Sequence, residues 1–225
     1  MKLYHLASGP LKVNTYFLVN EKTQDCVIID SGENYKKIQQ TIKENGFNLK
    51  AVFLTHAHFD HAGNAKKLQD DGAKIYVGEK DFDKLLNDQN LASDFGRNFD
   101  YLTADFKLYD GQEIDIIGIK IKVISTPGHT DGSLTFLVDD MLFTGDTLFL
   151  GSVGRTDFVT GDKNAMISSV KKLFALSGDY KVFPGHDEFT TLEHERKYNL
   201  LAEYDWYRFK GFWKRLKRSF EFVPR

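Results

Sequence analysis

Cysteine is almost missing from this chain. Cys26 is the single one in 225 residues, so no internal disulfide can brace the fold. It lies inside the apolar run Asp25-Cys26-Val27-Ile28-Ile29-Asp30, where a buried strand thiol is expected rather than a catalytic nucleophile. No apolar stretch approaches the length of a membrane span, and Met1-Lys2-Leu3-Tyr4-His5 lacks the apolar core of a secretory signal. A reducing cytoplasm is the expected setting. An excess of charge of one sign is also lacking. The net charge of -2 is unlike that of a surface built to hold nucleic acid, and none is expected as a partner. With 41% hydrophobic and 28% charged residues, the chain has the material for one large domain, or one domain with a small appendage.

What the chain does have is a concentration of histidine. Thr55-His56-Ala57-His58-Phe59-Asp60-His61-Ala62-Gly63-Asn64 places three of its 7 histidines and a carboxylate within six positions. The apolar run Ala51–Leu54 before it reads as a short buried strand, and the residues from Ala62 onward read as a helix running to about Asp71. His56 and His58, two apart on an extended backbone, point to the same side and can share one ion. Asp60 and His61 lie past a bend and can serve a second. Imidazole with carboxylate suits zinc, iron or manganese better than calcium or magnesium.

Three more strands end the same way. Val123 to Ser125 runs into Thr126-Pro127-Gly128-His129, Met141 to Thr144 into Gly145-Asp146, and Lys181 to Phe183 into Pro184-Gly185-His186. Four strands thus each deliver a candidate ligand at the C-terminal end, with Pro or Gly stopping the last three.

Around these motifs the pattern alternates between strand and helix. Strands are expected over Lys2 to Leu6, Asn14 to Val19, Cys26 to Asp30, Lys74 to Val77, Phe106 to Tyr109, Ile119 to Ser125 and Leu134 to Val138. Helices are expected over Asn34 to Asn45, with Gly46 as the stop, and over Glu79 to Asn87. Asp88 to Asp105 has a weak pattern with scattered Phe95, Phe99 and Tyr101, which suits either a substrate-facing loop or a packed surface excursion. The order predicts an α/β or α+β fold in which two mixed sheets pack face to face, helices lie outside, and the site sits at one edge.

The H-x-H-x-D-H pattern of 56–61 resembles the signature of the metallo-β-lactamase superfamily. That resemblance implies an αββα sandwich, two mixed β-sheets flanked by helices. It assigns His56, His58 and His129 to one divalent metal ion and Asp60, His61 and His186 to another, with Asp146 bridging. Zinc is the expected ion, and iron or manganese would fit the same donors. Two such ions would share a water and lower its pKa, with Asp60 as ligand and proton acceptor together. Asp30 would stand behind a ligating histidine as hydrogen-bond acceptor, or serve only as the entry to the next helix.

The stretch from Thr144 to Phe158, with Gly145-Asp146-Thr147-Leu148-Phe149 and Gly154-Arg155-Thr156-Asp157-Phe158, is similar to the glyoxalase II-like branch and to its short YcbL-type hydrolases. This likeness runs from about Val13 to His186. It implies hydrolysis of a small-molecule acyl-thiol such as hydroxyacylglutathione. Gly151 and Gly154 would let the backbone pass close to the metals. Arg155 would hold a substrate carboxylate or pair with an acidic neighbour, and Asp157 would orient a ligating histidine or bond within its loop.

Residues 1–189 are expected to form this domain, and 190–225 a short helical extension rich in aromatic and basic residues. Only about forty residues follow His186, too few for the helical glutathione-binding domain of a full glyoxalase II. From Tyr204 to Phe220 aromatic residues recur near helical spacing among Lys and Arg. Packing on the domain or on a partner subunit, contact with an anionic membrane surface and a cationic lid are the three readings of that series. The main functional rival is a persulfide dioxygenase using one iron, since those enzymes share the Gly154–Phe158 element. Nuclease, β-lactamase and non-catalytic scaffold readings fit less well, the second because those enzymes usually carry cysteine where Asp146 stands.

Overall fold

A computed structural model of the chain describes residues 1–202. The aromatic and basic series from Tyr204 lies outside the described residues, and with it the three readings of that segment.

Strands β1 (Lys2–Ser8), β2 (Val13–Val19) and β3 (Asp25–Ile29) form an antiparallel meander. Helix α1 (Tyr35–Asn45) crosses to β4 (Asn48–Phe53), which runs parallel to β3. Helices α2 (Phe59–Ala62) and α3 (Ala65–Asp70) lead to β5 (Lys74–Gly78), and a chain of 3-10 turns leads to β6 (Phe106–Leu108). These six strands lie in chain order in one mixed sheet. The second half begins with β7 (Glu113–Ile116), β8 (Ile119–Ser125), β9 (Leu134–Val138) and β10 (Met141–Gly145). A small hairpin follows, β11 (Leu148–Phe149) with β12 (Ser152–Val153), then helix α4 (Lys163–Phe174), strands β13 (Lys181–Pro184) and β14 (Thr190–Thr191), and helix α5 (Leu192–Tyr198). The second sheet has the order β14-β13-β10-β9-β8-β7.

Side-chain alternation explains the layering. Along β3, Val27 and Ile29 point into a core shared by the two sheets, while Cys26 and Ile28 point to the helix side. Both faces are buried, which is why such strands read as unbroken apolar runs. The shared core brings Tyr16 and Phe53 of the first sheet against Phe136, Phe143 and Phe183 of the second. Phe53 stacks on Tyr76 with ring centroids 4.5 Å apart and meets Phe136 edge-on at 5.6 Å. Ile38 of α1 and Leu68 of α3 cover the outer face of the first sheet, and Met166, Val170 and Leu173 of α4 cover that of the second. The expected αββα sandwich is the fold of this chain. Among the described residues no helix is long and apolar enough to cross a membrane.

Several boundaries differ from the sequence expectation. The helix expected from Ala62 to Asp71 starts earlier, at Phe59, and breaks at Gly63-Asn64. There the Asn64 side chain turns inward to donate to the Ser31 and Gly32 carbonyls. The helix expected over Glu79 to Asn87 is instead two 3-10 turns, Glu79–Asp81 and Asp83–Leu86. Its charged residues Asp81 and Lys84 are buried and bonded to each other, which fixes the chain in an irregular path. The sequence expectation did not include β7 or α4. In the 88–105 stretch Leu91 and Phe95 line a cleft, while Leu102 and Ala104 pack into the core.

Phe136 is fully buried between the sheets. Phe136→Ala should lower unfolding free energy by about 3–5 kcal/mol, because the cavity adds to the lost transfer term. Urea denaturation followed by far-ultraviolet circular dichroism measures this, and a loss below about 1 kcal/mol would mean the two sheets are not packed as described.

Candidate metal centre

Four strand ends meet at one edge of the sandwich. β4 ends at Phe53 and feeds His56, His58 and then α2, which carries Asp60 and His61. β8, β10 and β13 end just before His129, Asp146 and His186. All seven predicted ligands come together. Three groups of donor atoms each lie within 4.8 Å of one another: His56, His58 and His129; Asp60, His61 and His186; and His56, His61 and Asp146.

Asp146 sits between the first two groups. Its Oδ1 lies 3.3 Å from His61 Nε2 and its Oδ2 lies 3.4 Å from His129 Nε2. His186 Nε2 is 3.3 Å from both His61 Nε2 and Asp60 Oδ2. Donors placed about 2.0–2.1 Å from a tetrahedral ion would be separated by roughly 3.4 Å. The spacing therefore fits a metal.

Four of the histidines are also oriented by a bond at the outer ring nitrogen. His61 Nδ1 donates to Asp30 Oδ2 at 2.8 Å, His129 Nδ1 to the Arg155 carbonyl at 2.8 Å, and His186 Nδ1 to the Leu11 carbonyl at 2.9 Å. Thr55 Oγ1 donates to Asp30 Oδ2 at 2.8 Å, which leaves its lone pair to accept from His56 Nδ1 at 3.1 Å. In each of these four rings the outer nitrogen is spoken for, which turns the inner one toward the centre. His56 Nε2 and Asp146 Oδ1 are buried with no hydrogen-bond partner. Orphaned donors of this kind are what a bound cation would satisfy.

The electrostatics divide the histidines into two kinds. Burial and the neighbouring imidazoles hold His56 well below its usual pKa, and burial, then His129, brings His58 down to about 3. Both are neutral ligands at neutral pH. Burial also disfavours charge on His61, but Asp146, Asp30 and Asp60 outweigh it and raise its pKa well above the usual value, so a metal ion held there would take the place of the inner proton. Burial likewise opposes charge on Asp146, yet the neighbouring His61 and His129 keep its pKa low, so it remains a carboxylate.

The remaining predicted residues fall around this centre. Asp30, at the end of β3 with φ +56, accepts from the Thr55 N–H, the Thr55 hydroxyl and His61. It is the acceptor behind His61, a candidate ligand. Arg155 pairs with Asp157 through two bonds of 2.9 and 2.8 Å and lies over the Phe158 ring. Its backbone carbonyl, not the Asp157 carboxylate, orients His129. Of the two glycines, only Gly154 is a close approach: a Cβ there would sit 1.9 Å from the Asp146 carbonyl oxygen. Gly151 faces open space, and its φ of +69 is what favours glycine.

Thr55 and Asp81 went unforeseen. Asp81 is fully buried and its Oδ2 accepts from the Ala57 N–H and the Thr130 hydroxyl, both at 2.9 Å. It thereby fastens the His56–His58 loop to the loop carrying His129. Lys84 neutralises it at 2.5 Å. Only the inward turn of the chain reveals this, since Asp81 reads in sequence as one charge in a polar helix.

A cleft of about 490 Å³ opens over the centre, and His58, Asp60, His129, Asp146 and His186 form its floor. Phe158 stands edge-on to His58 and His129, with centroids 5.5 and 5.7 Å away.

Thr55→Val removes the relay between Asp30 and His56 and should weaken metal retention about ten- to hundredfold with the fold intact. Titration against a chromophoric chelator reads this directly; unchanged affinity would deny Thr55 its role. Gly185→Ala should be more damaging, because the new Cβ would lie 2.3 Å from Asp146 Oδ1 and 2.5 Å from His61 Cε1. Its purified protein should carry little metal, and full loading would show that the donor cluster is not held as tightly as described.

Comparison with known proteins agrees with this geometry. The model of the metallo-beta-lactamase superfamily matches residues 8–186. A probable metallo-hydrolase of Streptococcus pyogenes is 34% identical over 88% of this chain and 89% of its own length. The hydroxyacylglutathione hydrolase GloC of Haemophilus influenzae is 36% identical over 81% of this chain and 89% of its own. Among solved structures, the BLEG-1 B3 metallo-beta-lactamase superposes with a TM-score of 0.84 at 30% identity, covering 88% of this chain and 98% of that one. TTHA1623 in a di-iron-bound form gives 0.79 at 30% identity with the same coverage. ETHE1 from Myxococcus xanthus gives 0.73 at 27% identity, covering 89% and 84%. The strand-end ligands, the sandwich and these matches together place the chain in the metallo-beta-lactamase superfamily, whose members bind metal ions.

Proposed function

We propose that this chain is a binuclear metal-dependent hydrolase that cleaves thioesters of the hydroxyacylglutathione type. The observation that carries the reading is the pair of donor trios, His56/His58/His129 and Asp60/His61/His186, with the Asp146 carboxylate between them at the floor of an open cleft. The likeness to GloC at 36% identity supports a thioester as the substrate class.

Two divalent ions held there, zinc in the first instance, would activate a water and polarise a carbonyl. The protein's own contribution starts with Asp60. It lines the cleft and lies 3.3 Å from His186, and its carboxyl is held below the usual range. Burial opposes that shift, but His61 and the His186 hydrogen bond outweigh it. Asp60 is thus ionised, both a ligand and the acceptor for the proton of the attacking water. The water oxygen bonds to the carbonyl carbon, the C–S bond breaks with its electron pair on sulfur, and the proton passes to the thiolate. The products are a carboxylic acid and a free thiol. Among the described residues the cleft lining contains no serine, threonine or cysteine. Cys26 is buried in β3, and burial pushes its thiol up to about 12.

Protein purified without added metal should contain about two ions per chain and hydrolyse S-lactoylglutathione, with Asp146→Ala abolishing turnover. Elemental analysis and release of free thiol give both numbers on one sample. One iron per chain, no thioesterase activity and oxygen uptake with a persulfide would replace this reading with the dioxygenase that also carries the Gly154–Phe158 element.

A further inference from the structure

One wall of the cleft is apolar and uncovered among the described residues. Phe59, Leu91, Phe95 and Phe158 line it. Phe59 and Leu91 are buried in a small cluster of their own, against which Phe158 packs. Phe95 remains 46% exposed, though its ring lies only 5.3 Å from Phe59 and 6.5 Å from Phe158. Beside the buried Phe59 and Leu91, this partly exposed ring extends a contiguous apolar surface at the mouth of the site that an apolar ligand group can cover.

The backbone reinforces this. Leu91 adopts φ +66, a left-handed conformation that a γ-branched residue avoids. Its N–H bonds to the Asp88 carbonyl at 3.0 Å, so the turn is held, and it places leucine at the wall. Strain kept at a cleft lining points to use.

The charges of the lining argue in the same direction. Glutathione carries two carboxylates and would call for two free cations. Arg155 is committed to Asp157 by two bonds and lies flat on Phe158 at 4.3 Å. Among the described residues that leaves Lys12 in the lining, and it shares the lining with the carboxylate of Asp187.

Resting on the thioesterase reading above, we infer that the substrate is a thioester bearing an apolar alkyl or aryl group beside the scissile carbonyl. That group lies on the Leu91/Phe95/Phe158 wall, and this wall, not a carboxylate clamp, sets specificity. The apolar group sits on either the acyl or the thiol side, and the two are separable by experiment.

The test measures kcat/KM of the full-length, metal-loaded protein on two series. One varies the acyl chain from acetyl to octanoyl on N-acetylcysteamine; the other varies an alkyl thiol from ethyl to octyl on a constant acetyl group. One series should rise by about threefold per methylene until the wall is filled. Phe95→Ser should flatten that slope while Phe95→Leu retains it, with metal content checked in each. Calorimetric titration with the carboxylate or thiol product of the rising series supplies a readout independent of turnover: octyl-chain product should bind at least tenfold more tightly than its two-carbon counterpart, and Phe95→Ser should remove the difference.

Flat profiles in both series, with S-lactoylglutathione cleaved as well as any other substrate, would overturn the inference and leave the hydrolase standing. A wall covered by another part of the chain would give that result. No cleavage of any thioester by fully loaded protein would instead remove the hydrolase reading, and this inference with it.

Discussion

The Asp30 carboxylate is the fixed point of the metal centre. It accepts three hydrogen bonds from the adjoining stretch, two from Thr55 and one from His61. Through the Thr55 hydroxyl it also sets His56. One buried anion therefore aims a ligand of each trio, one directly and one through a hydroxyl. This is possible because β3 and β4 are parallel neighbours and both chains turn outward at the same level. The turn at Asp30 needs a positive φ, which Asp tolerates better than most residues. Fold and site are linked here at a single peptide.

The same economy appears across the sandwich. The His56–His58 loop belongs to the first sheet and His129 to the second, yet Asp81 bonds to both loops. Further along, the Leu134 N–H donates to the Thr55 carbonyl, and Tyr16 and Asn14 of β2 donate to the Pro184 carbonyl just before His186. Each contact satisfies a polar group that close packing of the sheets would otherwise strand. The edge of the sandwich is polar for the sake of the site, and its interior is aromatic for the sake of stability.

How much of this could be read from the residues alone follows from the range of the interactions. Most strands and the gathering of the seven candidate ligands were legible because alternation, Pro or Gly stops and the placing of histidine or aspartate after four strands are local signals. Asp30 was legible only through resemblance. Asp81 and Lys84 were not, because a buried ion pair and an exposed helical one have the same spacing. The segment Glu79 to Leu86 follows a tertiary demand that overrides local propensity. Arg155 shows a different limit. Sequence directs attention to its guanidinium, whereas its contribution to the centre is a backbone carbonyl that any residue possesses.

The bonds from Asp81 to the two ligand loops have a kinetic meaning as well. Because Asp81 ties the His56–His58 loop to the loop carrying His129, part of the order of this donor set is built into the protein's own hydrogen bonds. The entropy of ordering that part is met when the chain folds. A donor set ordered in this way would admit an ion without unfolding, and its exchange would be governed by access through the open cleft. Which ion occupies such a set then follows the supply around the protein as much as the preference of its ligands.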